Sequence, residues 1–186
     1  GVYSFTPNAA AINALSASGT ETYAVTVSDG TATTATHLVI NLTGVNDTPT
    51  VAAPASFALT EDVAGNLTFT GTPFADVDSA TLTVTLSVSD GTITGAAEQG
   101  ITVGGSATAR TFAGTIADLN TYFTTAGKIT YLGALNNTTS RTLTTAVSDG
   151  ALSATTTSSL TFSAVNDAPS VTAPASFALT EDVAGN

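Results

Sequence analysis

The acidic side chains are the groups in this sequence whose type and spacing could do chemistry. Fourteen Asp and Glu stand against three Lys and Arg, for a net charge of −11. Eleven of the fourteen fall in short recurring motifs: Asp29, Asp47, Glu61, Asp62, Asp76, Asp78, Asp90, Asp149, Asp167, Glu181 and Asp182, with Glu21, Glu98 and Asp118 outside them. Carboxylates grouped in this way suit a hard divalent cation, which takes roughly six to eight oxygens from carboxylates, amides, backbone carbonyls and water. The closeness of Asp76 and Asp78 also admits paired-carboxylate hydrolysis of the glycosidase kind, although no aromatic-lined cleft is indicated around them. There is no Cys, and His37 is the single histidine, on the polar parity of its strand. Thiolate, zinc and nucleophilic-triad sites are therefore not available, and on these grounds the sequence reads as that of a protein that is not an enzyme.

Each acidic motif also has a plainer reading. Asn46-Asp47 and Asn166-Asp167 precede Pro49 and Pro169 at a distance that makes a stiff turn. Asp76-Val77-Asp78 reads equally as a solvated loop, and Asp-Gly at positions 29, 90 and 149 is favoured in hairpins by backbone twist alone. The threonine runs 31–36 and 155–157 invite a flat sugar- or ice-binding face, but Thr is the default outward residue of a half-buried strand.

The elements that carry these residues follow from a repeat. Residues 45–66 (VNDTPTVAAPASFALTEDVAGN) recur at 165–186 (VNDAPSVTAPASFALTEDVAGN), an offset of 120, with changes only at Thr48/Ala168, Thr50/Ser170 and Ala52/Thr172. Such a period marks a tandem array. It divides the chain into 1–47, the closing part of one unit; 48–167, a complete unit; and 168–186, the opening strand of the next. Within the unit the apolar period is two: Leu82, Val84, Leu86 and Val88 alternate with Thr81, Thr83, Thr85 and Ser87, and Tyr23, Val25 and Val27 with Leu38, Ile40 and Leu42 repeat the pattern around Asp29-Gly30. Short strands with frequent turn signals predict an all-β fold of immunoglobulin-like sandwich type in tandem. Short helical crossovers are expected near Asn8–Leu15 and Ile116–Phe123. Only 9% of residues are charged and the mean hydropathy is +0.31, a composition that folds. The negative charge disfavours nucleic acid and anionic lipid as partners, and no apolar run reaches the roughly 20 residues of a membrane helix. With no initiator Met and no signal peptide, the sequence reads as a segment of a longer protein.

Taken in order, these motifs resemble the cadherin-like and VCBS-type repeats of large bacterial surface adhesins exported by type I secretion. The residues that carry the resemblance are Val45-Asn46-Asp47-Thr48-Pro49 and its copy at 165–169, Thr60-Glu61-Asp62, Phe74-Ala75-Asp76-Val77-Asp78, and three Val-Ser-Asp-Gly hairpins. Residues 1–47 resemble the second half of a VCBS repeat, a different subtype from the central unit. The resemblance implies an extracellular, calcium-stiffened extender at the bacterial cell surface, in contact with neighbouring repeats of its own chain. Its rivals are an adhesive module for glycan, ice or a sister copy, and a head-to-tail fibre subunit. Sandwich connectivity then sorts the acids between two poles. Asp76, Asp78 and Asp149 are expected to face Asn46-Asp47. Glu61 and Asp62, with Asp90 and the amides of Asn136 and Asn137 as further candidates, are expected to face Asn166-Asp167. Cadherins carry an acidic motif where this chain has Asn136-Asn137.

Overall fold

In a computed structural model, which describes residues 4, 6–176, 178 and 181, the chain is mostly β-sheet. The strands are β1 (Gly19–Ser28), β2 (Thr33–Leu42), β3 (Thr50–Val51), β4 (Ser56–Thr60), β5 (Gly65–Asn66), β6 (Phe74–Ala75), β7 (Thr81–Ser87), β8 (Thr92–Gly95), β9 (Ile101–Gly105), β10 (Ala109–Thr115), β11 (Ile129–Leu132), β12 (Arg141–Ser148) and β13 (Ser153–Ser163). Helix α1 (Ala9–Asn13) precedes β1, and α2 (Ile116–Thr124) joins β10 to β11. Both helices fall where crossovers were expected. Thr115 starts α2: its Oγ1 accepts from the Asp118 amide at 3.1 Å and donates to Asp118 Oδ2 at 2.7 Å, which occupies a free donor of the first turn.

Period-two patterning decides the layers. A six-stranded sheet runs β4-β13-β12-β7-β10-β9, antiparallel except for the β13–β4 pair, and a three-stranded sheet runs β5-β11-β8. Leu82, Val84 and Leu86 of β7, Phe112 of β10, Leu143 and Val147 of β12 and Leu160 of β13 are buried, as are Ile93, Ile129 and Tyr131 of the smaller sheet, and all belong to one core. Phe123 of α2 sits inside it, with edge-on contacts to Phe69 (5.1 Å), Phe74 (4.8 Å) and Phe112 (5.2 Å). One turn earlier on the same helix, Asn120 clamps the Phe74 main chain, its Oδ1 accepting from Phe74 N and its Nδ2 donating to Phe74 O, both at 2.9 Å. The loop that begins at Phe74 is thereby fixed two residues before Asp76.

The 120-residue repeat is also a repeat of structure. Every β1–β2 pair from Glu21↔Ile40 to Ser28↔Thr33 maps onto a β12–β13 pair, from Arg141↔Leu160 to Ser148↔Ser153, at that offset. The turns match as well. Asp29 Oδ1 accepts from Thr31 N and Ala32 N at 2.8 and 2.7 Å, and Asp149 Oδ1 accepts from Ala151 N and Leu152 N at 2.6 and 2.7 Å. Their surroundings differ: Val147 is 0% exposed, within the core, whereas Val27 is 65% exposed.

The middle Val-Ser-Asp-Gly is not a hairpin, contrary to the sequence expectation. Strand β7 pairs with β10 and β12, while β8 pairs with β11, so Val88–Gly91 is a corner that carries the chain from one sheet to the other. The cause is the partner of Asp90. Its carboxylate is bound by Arg141 (Nε–Oδ1 2.6 Å, Nη2–Oδ2 3.2 Å) instead of by its own loop amides. Tyr131 Oη donates to Asp90 O at 3.1 Å, and a Cβ at Gly91 (φ 80°) would collide with that hydroxyl.

Because residues 27 and 147 are equivalent in register and differ only in burial, they make an internal control. Val147→Ala is expected to lower unfolding free energy by roughly 1.5–3 kcal/mol, and Val27→Ala by less than about 0.5 kcal/mol. Urea titration followed by circular dichroism checks the contrast.

Candidate metal centres

Two groups of carboxylates stand at opposite ends of strand β13. The first gathers around the linker that enters the 48–167 unit. Asn46 Nδ2 donates to Asp149 Oδ2 at 2.7 Å, and the Asp47 amide donates to Asp78 Oδ2 at 3.2 Å. Asp76 Oδ1 accepts from Asp78 N (3.0 Å) and Ser79 N (2.8 Å), which folds the Asp-x-Asp loop over its own first carboxylate. Asn46, Asp47, Asp76, Asp78 and Asp149 are thus in one place, drawn from the linker, the loop after β6 and the β12–β13 turn. All five are half-buried. Two of the carboxylate oxygens, Asp76 Oδ2 and Asp78 Oδ1, are buried and accept no hydrogen bond. Burial pushes the Asp78 carboxyl above its ordinary value of 3.8 and Asp76 adds to the effect, while the hydrogen bond from the Asp47 amide works against it. Asp149 is held below that value by the loop amides and by Asn46.

The second group lies at the other end. One carboxylate oxygen each from Glu61, Asp62 and Asp167 lies within 4.8 Å of the others. Glu61 is 6% exposed, and its Oε1 accepts from Val165 N at 2.8 Å, tying the end of β4 to the outgoing linker. Asp62 Oδ1 accepts from Asn136 N at 2.7 Å. The Asn136 side-chain amide lies 3.1 Å from both Asp62 Oδ2 and Asp167 Oδ2. With its nitrogen towards them, the orientation that satisfies the hydrogen bonding, it bridges the two carboxylates. Asp62 (φ 63°) and Asn136 (φ 53°) are the non-glycine residues of positive φ among those described, in a region that Asn and Asp tolerate best.

Neither group has a basic partner. The three Lys and Arg are engaged elsewhere: Lys128 with Glu98, Arg141 with Asp90, and Arg110 Nε with the Ile93 carbonyl at 3.2 Å. The donor sets fit a hard cation, since each is all-oxygen, anionic and uncompensated.

The remaining candidates fall outside these groups. Asp90 is a salt-bridge partner, and Arg141 holds its carboxyl below the usual range. Asn137 Oδ1 accepts from Thr139 N at 2.9 Å. Asn166 is exposed, with its Nδ2 at 3.5 Å from Asp167 O. Asp29 and Glu181 are exposed, and Asp182 lies outside the described residues. Sequence reasoning missed the Arg141–Asp90 pair and the Asn120 clamp. The rarity of arginine was the available signal for the first: a buried guanidinium in an acidic chain has to find a carboxylate.

No family model matches the chain, and no curated protein matches it. Among solved structures, similar ones include an endo-fucoidan hydrolase of glycoside hydrolase family 107, MfFcnA4 (20% identity, 82% of this chain and 20% of that one, TM-score 0.33), and a variant of it (16%, 79% and 19%, TM-score 0.33). A second such hydrolase, MfFcnA9, is 15% identical over 77% of this chain and 22% of its own, with a TM-score of 0.29. The chain spans about a fifth of the length of these solved chains. The reading of this protein as not an enzyme is corrected by the finding, because the chains matched are themselves hydrolases, and that exclusion is withdrawn. TM-scores of this size carry no argument for a catalytic role.

The charge arrangement dictates a pH response. A carboxyl whose folded pKa is raised favours the folded state when protonated, so stability contributed by Asp78 grows as pH falls from neutral through its raised pKa. Asp90 and Asp149 are depressed and act oppositely: their contribution is present above 3.8 and is lost as pH falls through their lower values. In chelator, the melting temperature should therefore rise on mild acidification and then drop. Asp78→Asn should have the higher melting temperature at neutral pH and lack the initial rise. Thermal melts in steps of pH test this, and a monotonic fall for the native chain would contradict it.

Proposed function

We propose that the chain is a calcium-stiffened extender segment of a bacterial surface adhesin or extracellular fibre, made of immunoglobulin-like, cadherin-like sandwich repeats in tandem. In this reading residues 48–167 are one complete repeat, 1–47 the closing part of a VCBS-like repeat and 168–186 the first strand of the next. The observation that carries it is the pair of buried, unpartnered carboxylate oxygens on Asp76 and Asp78 beside a linker, in a chain whose basic residues are all engaged elsewhere. A buried anionic oxygen without a donor is costly. A divalent ion removes that cost.

Asp47, Asp76, Asp78 and Asp149, with Asn46, would hold one ion; Glu61, Asp62, Asn136 and Asp167, with Asn166 alongside, would hold another. The bound ion supplies positive charge and an oxygen-bridging centre. The chain's own residues supply the geometry: Asn120 and Phe123 fix the loop of Asp76 and Asp78, and Glu61 fixes the exit of the linker. Because the two linkers share the sequence Val-Asn-Asp, the two groups are complementary halves. In an array each linker would meet a Glu61-type group behind it and an Asp76-type group ahead of it. The ions then set the angle between units, and the function is mechanical reach outside the cell. Many weak contacts displayed on such an array gain avidity without tight binding by any unit.

Extracellular calcium modules have dissociation constants of roughly 10⁻⁴ to 10⁻³ M, and at about ten times that constant one native-state site adds about 1.4 kcal/mol of stability. Millimolar calcium is expected to raise the melting temperature and, in a chain of several repeats, to lengthen the maximum dimension in solution scattering relative to chelator. Replacing Asp76 and Asp78 together by Asn should abolish most of both differences at the Asn46-Asp47 junction. Equal length and equal stability of the unsubstituted chain in chelator would remove calcium from the account.

A further inference from the structure

The loop 133–140 brings Asn136 to the group of Glu61, Asp62 and Asp167, yet no residue of the loop is buried and Leu135 on it is 77% exposed. Apolar packing does not hold it. Among the described residues, its hydrogen bonds to the rest of the unit run only through Asn136, whose amide donates to Asp62 Oδ1 at 2.7 Å, and through Arg141. Asn136 makes its bond from a φ of 53°, a conformation that a non-glycine residue keeps only where its surroundings impose it. Arg141 supplies the other restraint. Its Nη1 donates to Thr139 O and lies 3.5 Å from Asn137 Oδ1, which itself accepts from Thr139 N at 2.9 Å, so one nitrogen gathers the last residues of the loop.

Arg141 is fixed in turn. It is 7% exposed, Asp90 accepts from its Nε at 2.6 Å and from its Nη2 at 3.2 Å, and the centre of the Phe162 ring lies 5.4 Å from its Cζ. A planar fork of donors serves a carboxylate and a carbonyl at once, a task for which an ammonium on a flexible stem has no fixed geometry. Tyr131 Oη holds Asp90, donating to its main-chain oxygen at 3.1 Å and lying 3.3 Å from its Oδ1. One side chain therefore joins the Asp90 corner, the loop of Asn136 and strand β13, which runs on into the linker of Asp167, and all of these residues lie within 48–167. Among the described residues it pairs with Asp90 and with none of the three carboxylates of the group. Its two influences on a bound cation have opposite signs. As a positive charge at the same end of the unit it opposes a second cation. As an anchor it favours one, because a metal site whose supporting residues are lost binds roughly 10- to 100-fold more weakly.

We propose, on the reading of that group as a cation site, that Arg141 held by Asp90 is a positioning residue for it. The pair anchors the loop 133–140 so that Asn136 meets Asp62 and Asp167, and calcium binding by Glu61, Asp62 and Asp167 weakens when the anchor is lost, even though a positive charge is lost with it. The group at the incoming linker does not depend on Arg141, because the loop of its Asp76 is fixed by Asn120.

Calcium titration of the 186-residue chain, followed by its amide resonances, reads the two groups separately. The Asn136 and Val165 amides donate to carboxylates of one, the Asp47 and Ser79 amides to those of the other. Arg141→Met removes the charge and the anchor, whereas Arg141→Lys keeps the charge alone and, being closer in size, decides the matter where Arg141→Met does not fold. The Asp90 side chain is 49% exposed, so water takes up its carboxylate in either variant. Both should raise the calcium midpoint at Asn136 and Val165 by about tenfold or more and leave that at Asp47 and Ser79 within about twofold. In chelator, the Asn136 amide should exchange its hydrogen faster in both variants while the Ser79 amide keeps its rate. A midpoint at Asn136 that falls with Arg141→Met and is unchanged by Arg141→Lys means that the guanidinium acts by charge alone, and overturns the proposal. Equal weakening at both groups, which means a general loss of structure, also overturns it, as does an unchanged exchange rate of the Asn136 amide. Silence of the native Asn136 and Val165 amides in millimolar calcium removes the calcium reading of that group and the proposal with it, whereas a native response shared equally by both variants overturns the proposal alone.

Discussion

The interlock of Phe123 with Phe69, Phe74 and Phe112 is the contact on which the rest of this structure depends. It holds a nine-residue helix against the six-stranded sheet and β6, and a helix that short has little stability of its own in water. Burial of Leu119, Tyr122 and Phe123 holds it there, and in return its Asn120 fixes the main chain of Phe74. Asp76 and Asp78 follow immediately, so an apolar contact in the core determines where two carboxylates stand at the surface. Rigid positioning matters because like charges left mobile would separate, whereas here they are kept half-buried and adjacent.

Electrostatics then gives each end of the unit its character. A chain with three basic residues has few ways to neutralise buried acid, and this one commits them to other tasks. Arg141 is buried at the start of β12, where its guanidinium also reaches Thr139 O and lies 5.4 Å from the centre of the Phe162 ring. Lys128 pairs with Glu98 and lies over Tyr122. The two polar clusters are left to backbone amides, to Asn46 and to Asn136. Those donors satisfy some oxygens and not others, leaving Asp76 Oδ2 and Asp78 Oδ1 buried without a partner.

Much of this was legible in the sequence because it was encoded by parity and by repetition. The alternation of Leu82, Val84 and Leu86 with Thr fixed the buried face of β7, and the repeated Val-Asn-Asp motif set the period. Strand direction brought Asp76, Asp78 and Asp149 together with Asn46-Asp47, and Glu61 and Asp62 with Asp167. What escaped depended on single long-range partners. Val88-Ser89-Asp90-Gly91 has the letters of a hairpin, but whether Asp90 caps its own loop or binds Arg141, 51 residues away, is decided by tertiary structure. Asn136 was named beside Glu61 and Asp62 from the sequence, but its main-chain bond to Asp62 Oδ1, between two residues of positive φ, was not. Leu38 stands where the central unit has Ser158, and the contact of the Ser158 Oγ with Pro54 O is visible only in the structure.

The two ends of the unit divide the work of a joint. At the entry, the linker touches the following unit through a side chain, Asn46, and an amide, Asp47, so its direction is set by two hydrogen bonds of different origin. At the exit, the linker touches the preceding unit through the Val165 amide and the Asp167 carboxylate. Hydrogen bonds at either end alone leave a hinge, because each fixes one flank of a stretch that still rotates about its own backbone. A short linker gripped on both flanks by groups that lie on rigid strand ends loses that freedom. The proline two residues beyond each Asp restricts the backbone further by favouring extended geometry before it. In the proposed array, stiffness would arise from the sum of three local constraints, namely proline, amide contacts and shared carboxylates, of which only the last would respond to the ions in the surrounding medium.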